Sequence, residues 1–353
     1  MKYPRNLSAL ACSVALCITS HSYANDWSAA VAGIQADVIQ PAYNNLARDA
    51  QQLQQAVAEL CLAPTEPKLQ KVKQQFITNI DDWQQIQWLN FGPVTYFMRY
   101  YAMEYWPDKK GITRRQLQGL SKTPEVMTDK DFWHSASIAV RGLTAIETLL
   151  YHPDFNVIEH AADCHVLTGV SEHHAATTLE IAKQWSESKV GDWVFLDEDS
   201  NSSPDHGAME LFVQQWIEHL SAIKDSKLET PIGYNGRANL KLAEFYRSQQ
   251  SLPAIIENLA TYPVLFHAGQ PSLYELAKRN DGPQAEEMDR LFQQSVSLAK
   301  ALPDDFFSGS YSQQQRVELA RPLVQSISQS QDKLVELVTS LGFNIGFNSR
   351  DGD

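Results

Sequence analysis

The sequence predicts an all-α protein made of two helical bundles packed against each other. Apolar residues recur at three- and four-residue spacing almost throughout, no convincing run alternates as a strand would, and the breaks fall at Pro-, Gly- and Asn-rich turns. A chain of 353 residues is long enough to bury two cores of ordinary size.

The first elements follow from this spacing. From Asp26 to Leu60, Val31, Ile34, Val38, Leu46, Leu53, Val57 and Leu60 mark one long amphipathic helix that Pro41 kinks or restarts. Pro64-Thr65-Glu66-Pro67 breaks the chain and starts a second helix running to about Trp88. Asn90-Phe91-Gly92-Pro93 is a turn, Val94 to Glu104 is aromatic-rich, and Trp106 to Gly111 is the next turn, before a short helix with Leu117 and Leu120. Thr128 and Asp131 are placed to cap a helix from Trp133 to Tyr151, and Val157 to Ser188 reads as another long helix. Gly191 to Gly207 has linker composition. The boundary is set there, giving domains 25–200 and 201–353, which would fit a diverged duplication. The second half continues with helices at Ala208–Leu228, Ser251–His267, Gln284–Leu302 and Gln313–Leu341, with Leu228 to Asn239 as a long connection. The closing Gly342-Phe343-Asn344-Ile345-Gly346-Phe347 suggests a tail packed on the body by its Phe residues.

The Trp133–Tyr151 stretch carries the chemistry. As one helix it would align Trp133, Ala136, Val140, Leu143, Thr144, Glu147 and Tyr151, with Ala139, Ile146 and Leu150 beside them. A helix apolar nearly all round belongs in an interior, yet Glu147 stands within the stripe. A buried carboxylate needs a partner, a cation or a retained proton, which makes Glu147 the leading functional candidate. Simple pairing with an Arg is an equal alternative. Arg141 points away on that helix, leaving Arg99, Arg114, Arg115 and Arg247. Gly142 and Ala145 offer a small surface for close helix approach.

Residues 1–24 read as a signal peptide: Lys2 and Arg5, an apolar run from Leu7 to Ile18, and Ser22-Tyr23-Ala24 at the cleavage site. No later run is long enough to span a bilayer, so a free periplasmic protein is expected; neither Cys12 nor Cys17 sits in a convincing lipid-attachment context. Cys61 and Cys164 then remain, and in an oxidising compartment they most simply form one disulfide; two buried thiols are the alternative. The net charge is −13, falling to about −15 without Lys2 and Arg5, which argues against nucleic acid or anionic lipid as partners. It is compatible with cation binding, but an acidic surface is usually only solvating.

No His-Glu-x-x-His run, glycine-rich phosphate loop or serine nucleophile elbow occurs. His160 with Asp163, and Glu172 with His173 and His174, are expected on solvated faces of a long helix. His134 lies off the Glu147 face.

Gly142-Leu143-Thr144-Ala145-Ile146-Glu147 resembles the Gly-x-His-x-x-Glu signature of the imelysin family. The resemblance extends to Leu60 to Pro64, Asn90 to Pro93, Tyr105 to Gly111, Arg247 to Leu252 and Gly346 to Asp353, essentially the whole mature chain. It implies an all-helical protein with a site near the Glu-bearing helix where the domains meet. It also implies either metallopeptidase activity or a part in bacterial iron uptake, with iron, haem or zinc as the cofactors to consider. The signature His falls on Thr144, a poor ligand, and one carboxylate cannot hold a catalytic zinc, so Glu147 is at most a single metal ligand.

The resulting expectation is a periplasmic, non-catalytic protein that binds a small ligand or iron-uptake components. Its site would comprise Gly142, Thr144, Glu147, Trp106, Asp108 and Arg247. One alternative is a metallopeptidase that uses Glu147 and recruits a His from elsewhere, from His134, His152 or His206. The other is a structural or docking protein.

Overall fold

The structure is a computed structural model and describes residues 26–129, 131–194 and 204–343. The leader, the boundary near residue 200 and the tail beyond Phe343 lie outside the described residues. No strand occurs among those described, and the chain is all-α.

Residues 26–34 are helical and run through a π turn, Gln35–Ile39, into α1 (Gln40–Leu62). Pro41 follows directly on that π turn within one continuous helical stretch, and the local widening accommodates its missing N–H, so the chain continues without a break in the helix. α2 (Glu66–Ile86) packs back along α1. Two short helices follow, α3 (Arg99–Met103) and α4 (Ile112–Leu120), then α5 (Gly142–Tyr151) and the long α6 (Ala161–Glu187), which lies along α1. Cys61 at the end of α1 and Cys164 at the start of α6 form a disulfide with Cα atoms 5.6 Å apart, clamping that pair.

In the second half, α7 (Pro204–Ser221) continues through a π-helical segment, Ala222–Glu229, to a short turn of helix at Thr230–Ile232. α8 (Ser251–Phe266), α9 (Leu273–Asn280), α10 (Gly282–Lys300) and α11 (Gln313–Ser340) complete it. α9 is absent from the periodicity reading, but its signal is present: Ser272 and Glu275 form a reciprocal capping box. α8 packs on both α2 and α10, and one apolar core runs from Trp27 to Phe343. Phe343 is buried, its ring 4.9 Å from that of Trp27.

The single helix expected from Trp133 to Tyr151 is corrected. A four-residue helix, Phe132–Ser135, ends at Ala136; a 3₁₀ turn covers Ile138–Val140, and α5 starts at Gly142. The Ser137 hydroxyl accepts from the Ala139 N–H, a local bond that competes with helix. Arg141 donates to the carbonyls of Trp133 and Ala136 at 2.5 Å each, closing the short helix. Gly142 has φ +63°, and a Cβ there would lie 2.2 Å from the Ala102 carbonyl oxygen. Only glycine allows both that conformation and that approach of α3. Trp133, Ala136 and Val140 therefore leave the Glu147 stripe. The proposed cap also fails, since the Thr128 hydroxyl bonds Glu125 within a 3₁₀ turn.

Candidate functional site

α5 is buried on every side from Gly142 to Leu150, as its apolar circumference requires. Thr144 and Glu147, one turn apart, face a cavity of about 270 Å³. The Glu147 side chain is almost fully withdrawn from solvent, at 2 % exposure. Its Oε1 accepts from the Ser248 N–H at 3.0 Å and from the Ser248 hydroxyl at 2.8 Å, and Arg247 Nη1 lies 3.4 Å from Oε2. Of the four candidate arginines, Arg247 is the partner. Arg99 binds Pro93 and Gln184, Arg114 pairs with Asp154, and Arg115 binds the Lys110 carbonyl.

The loop that brings Ser248 and Arg247 to Glu147 is bent by left-handed residues at Phe245 (φ +50°) and Gln249 (φ +62°). Arg247 lies over the Tyr246 ring, 4.5 Å from its centroid, which fixes the guanidinium direction. Burial pushes the Glu147 carboxyl above its ordinary range, while Ser248 and Arg247 pull it back. Ser248 Oγ also lies 3.2 Å from the Phe245 carbonyl, so its single hydrogen has an acceptor whether Glu147 is charged or protonated.

Trp106 and Asp108 line the same cavity, as do Thr144 and Arg247. Trp106 Nε1 donates to the Leu242 carbonyl at 3.0 Å, joining the 104–111 turn to the 239–247 loop. Asp108 caps α4, accepting from the N–H groups of Ile112 and Thr113 at 2.8 and 2.9 Å. Gly142 does not line the cavity; it serves the backbone contact with α3. The sequence reading missed Ser248, which leaves little mark in a pattern search because its main contribution is a backbone N–H. It also missed Lys109 and Lys241, which with Arg114 and Arg247 set four basic side chains in the wall beside Glu104, Asp108 and Glu147.

Glu104, a further wall residue, leads into a buried polar cluster. Its Oε2 accepts from Trp83 Nε1 and Gln87 Nε2, both at 3.0 Å. Lys227, at 3 % exposure, lies within 2.8 Å of Glu244, Gln84, Gln87 and Asn258. Burial first, and the neighbouring Glu244, hold the Glu104 carboxyl well above its ordinary value. The Lys227 ammonium pairs with Glu244, and burial favours the neutral form of the neighbouring Glu104.

The donor set does not fit a catalytic zinc. His152 is the one imidazole in the cavity wall, and its Nδ1 accepts from the Asp154 N–H at 3.1 Å. His134 lines a different cavity and His206 packs on Phe343. Among the described residues, no group of three or more His, Cys, Asp and Glu side chains is arranged to hold a metal ion. Of the residues expected on a solvated face, His160 and Glu172 are exposed, but His173 and His174 are corrected. His174 is buried against Asn79, and His173 stacks on Trp133 with centroids 4.3 Å apart.

The Imelysin family model matches residues 39–334. The chain belongs to the imelysin family. Its fold is similar to that of an imelysin-like protein from Psychrobacter arcticum 273-4, with TM-score 0.79 and 20 % identity over 92 % of this chain and 98 % of that one. It is also similar to an iron-regulated protein A precursor from Parabacteroides distasonis ATCC 8503, with TM-score 0.67 and 14 % identity over 88 % and 95 % of the two chains. No curated protein matches significantly. No helix among the described residues is long and apolar enough to cross a membrane.

Proposed function

We propose that this imelysin-family chain is an exported, periplasmic binding protein of iron acquisition that does not hydrolyse peptides. The observation that carries the reading is the state of Glu147. Both its oxygens already face donors from Ser248 and Arg247, and Thr144 stands where the family signature has its imidazole. A carboxylate held this way is a fixed acceptor and charge, not a base poised beside a metal-bound water. The iron-regulated relative and the leader-like first residues support the cellular setting.

The charge of the wall selects the ligand. Lys109, Arg114, Lys241 and Arg247 outnumber Glu104, Asp108 and Glu147, and burial pushes Glu104 towards its neutral form. Lys109 and Lys241 have no ion-pair partner among the described residues, whereas Arg114 pairs with Asp154 and Arg247 with Glu147. A free metal cation would meet net repulsion there, whereas an anionic ligand, including an anionic iron chelate, would be drawn in. The test is a Glu147→Gln strain grown under iron limitation. Impaired growth with normal protein accumulation supports the reading; unimpaired growth would reduce Glu147 to a structural partner of Arg247.

The metallopeptidase alternative keeps one observation in its favour: His152 lines the same cavity as Glu147. It requires further ligands, and a metal content that falls when either residue is replaced.

A further inference from the structure

A second cavity, of about 620 Å³, shares no lining residue with the first. Its walls are mainly apolar: Phe97, Met98, Ala102, Trp133 and Ile138, closed by Ala176 and Thr177 of α6. Trp133 and His173 stack within 3° of parallel, forming a flat platform. At the mouth, Phe97 is 82 % exposed and Met98 54 %. Both hold left-handed backbone, φ +54° and +57°, which side-chain-bearing residues rarely adopt. Strained backbone that keeps two large apolar side chains in water at a cavity mouth is a feature of ligand sites.

The cavity also carries charge. Arg99 and Arg141 line it together with His134, and Glu180 is the acid on its wall. Glu180 acts on Arg99, whereas no carboxylate pairs with Arg141 among the described residues. Arg141 spends Nη2 on two backbone carbonyls, and its buried Nε has no hydrogen-bond partner among the described residues. His173 is pushed down to about 4, first by burial and then by Arg141, Arg99 and His134, as expected of a positive field.

We propose that this cavity is a second binding site, taking an amphipathic anion: a planar apolar body whose single carboxylate or sulfonate meets Arg141. Such a ligand satisfies the guanidinium and covers Phe97 and Met98 in one step, and a neutral apolar molecule would do only the second.

The probe is anilinonaphthalene sulfonate, compared with N-phenylnaphthylamine, which has the same rings without the anion. The full chain is expected to bind the sulfonate at one site, about tenfold or more tighter than the amine, a ratio equivalent to one charge-assisted contact. Ala176→Trp, at an exposed α6 position on the cavity wall, should abolish binding of both probes while circular dichroism stays unchanged. Thr177→Asp should weaken the sulfonate and spare the amine, and Glu147→Gln should change neither. Equal affinities for the two probes, or sulfonate binding that survives Ala176→Trp, would overturn the proposal.

Discussion

Glu147 stays on the floor of its cavity because three donors converge on a carboxyl that burial pushes towards its neutral form. Truncation and isosteric replacement should therefore differ. Glu147→Ala leaves the Ser248 N–H and Arg247 without their acceptor and should cost about 2–3 kcal/mol in urea denaturation. Glu147→Gln keeps an acceptor for Ser248 but sets an amide N–H against Arg247, so it should cost less than the alanine, about 1–2 kcal/mol. A second carboxyl supplies a pH test. Asp82 on α2 is pushed from 3.8 to about 7, first by burial and then by its hydrogen bond with Asp49 on α1. A folded-state value above the unfolded one means that the fold holds the proton more tightly. That stability is present in acid and is lost as pH rises from about 4 through 7. Asp82→Asn should therefore stabilise the protein at pH 8, by about 1 kcal/mol after allowance for solvent screening, and leave it little changed at pH 4. Asp49, held low by Arg48, runs the other way at the acid end. Denaturation curves at the two pH values check both signs.

At the scale of elements, Gly142 and the disulfide do the positioning. Gly142→Ala adds a Cβ within 2.2 Å of a carbonyl oxygen at a left-handed residue, so it should cost more than about 3 kcal/mol or prevent folding, as thermal unfolding would report. The Cys61–Cys164 bridge closes a separation of 103 residues, for which chain entropy gives roughly 4–5 kcal/mol. Replacing both cysteines by Ser should lower the melting temperature, with α1 and α6 still helical by circular dichroism. The long helices and this pairing were legible in the sequence because periodicity and cysteine count are local quantities. The break between Ser135 and Gly142 was not, because Ile138, Ala139 and Val140 keep an apolar helical rhythm. What decides the break is a guanidinium reaching back to two carbonyls and a glycine pressed against another helix. Glu147 and Arg247 were legible as an ill-placed acid and one of a few unassigned bases. Ser248 and the basic wall are products of loop geometry, which no spacing rule encodes.

Across the whole molecule, one buried cluster joins the two halves of the chain. Lys227, Glu244 and Asn258 meet Gln84, Gln87 and Glu104, far from solvent. Residues 25–200 expressed alone would leave Glu104 and both glutamines facing water, so that fragment should lack the sharp urea transition of the full chain. The same architecture sets the first cavity beside Glu104 and Glu147, with basic residues from two distant loops around its rim. The claim that this site binds and does not cleave is tested most directly by one assay. Zinc-equilibrated full-length protein is incubated with an unfolded polypeptide, beside Glu147→Gln as background. The account predicts equal, background-level cleavage for both proteins. Cleavage by the parent chain that vanishes in Glu147→Gln would contradict it.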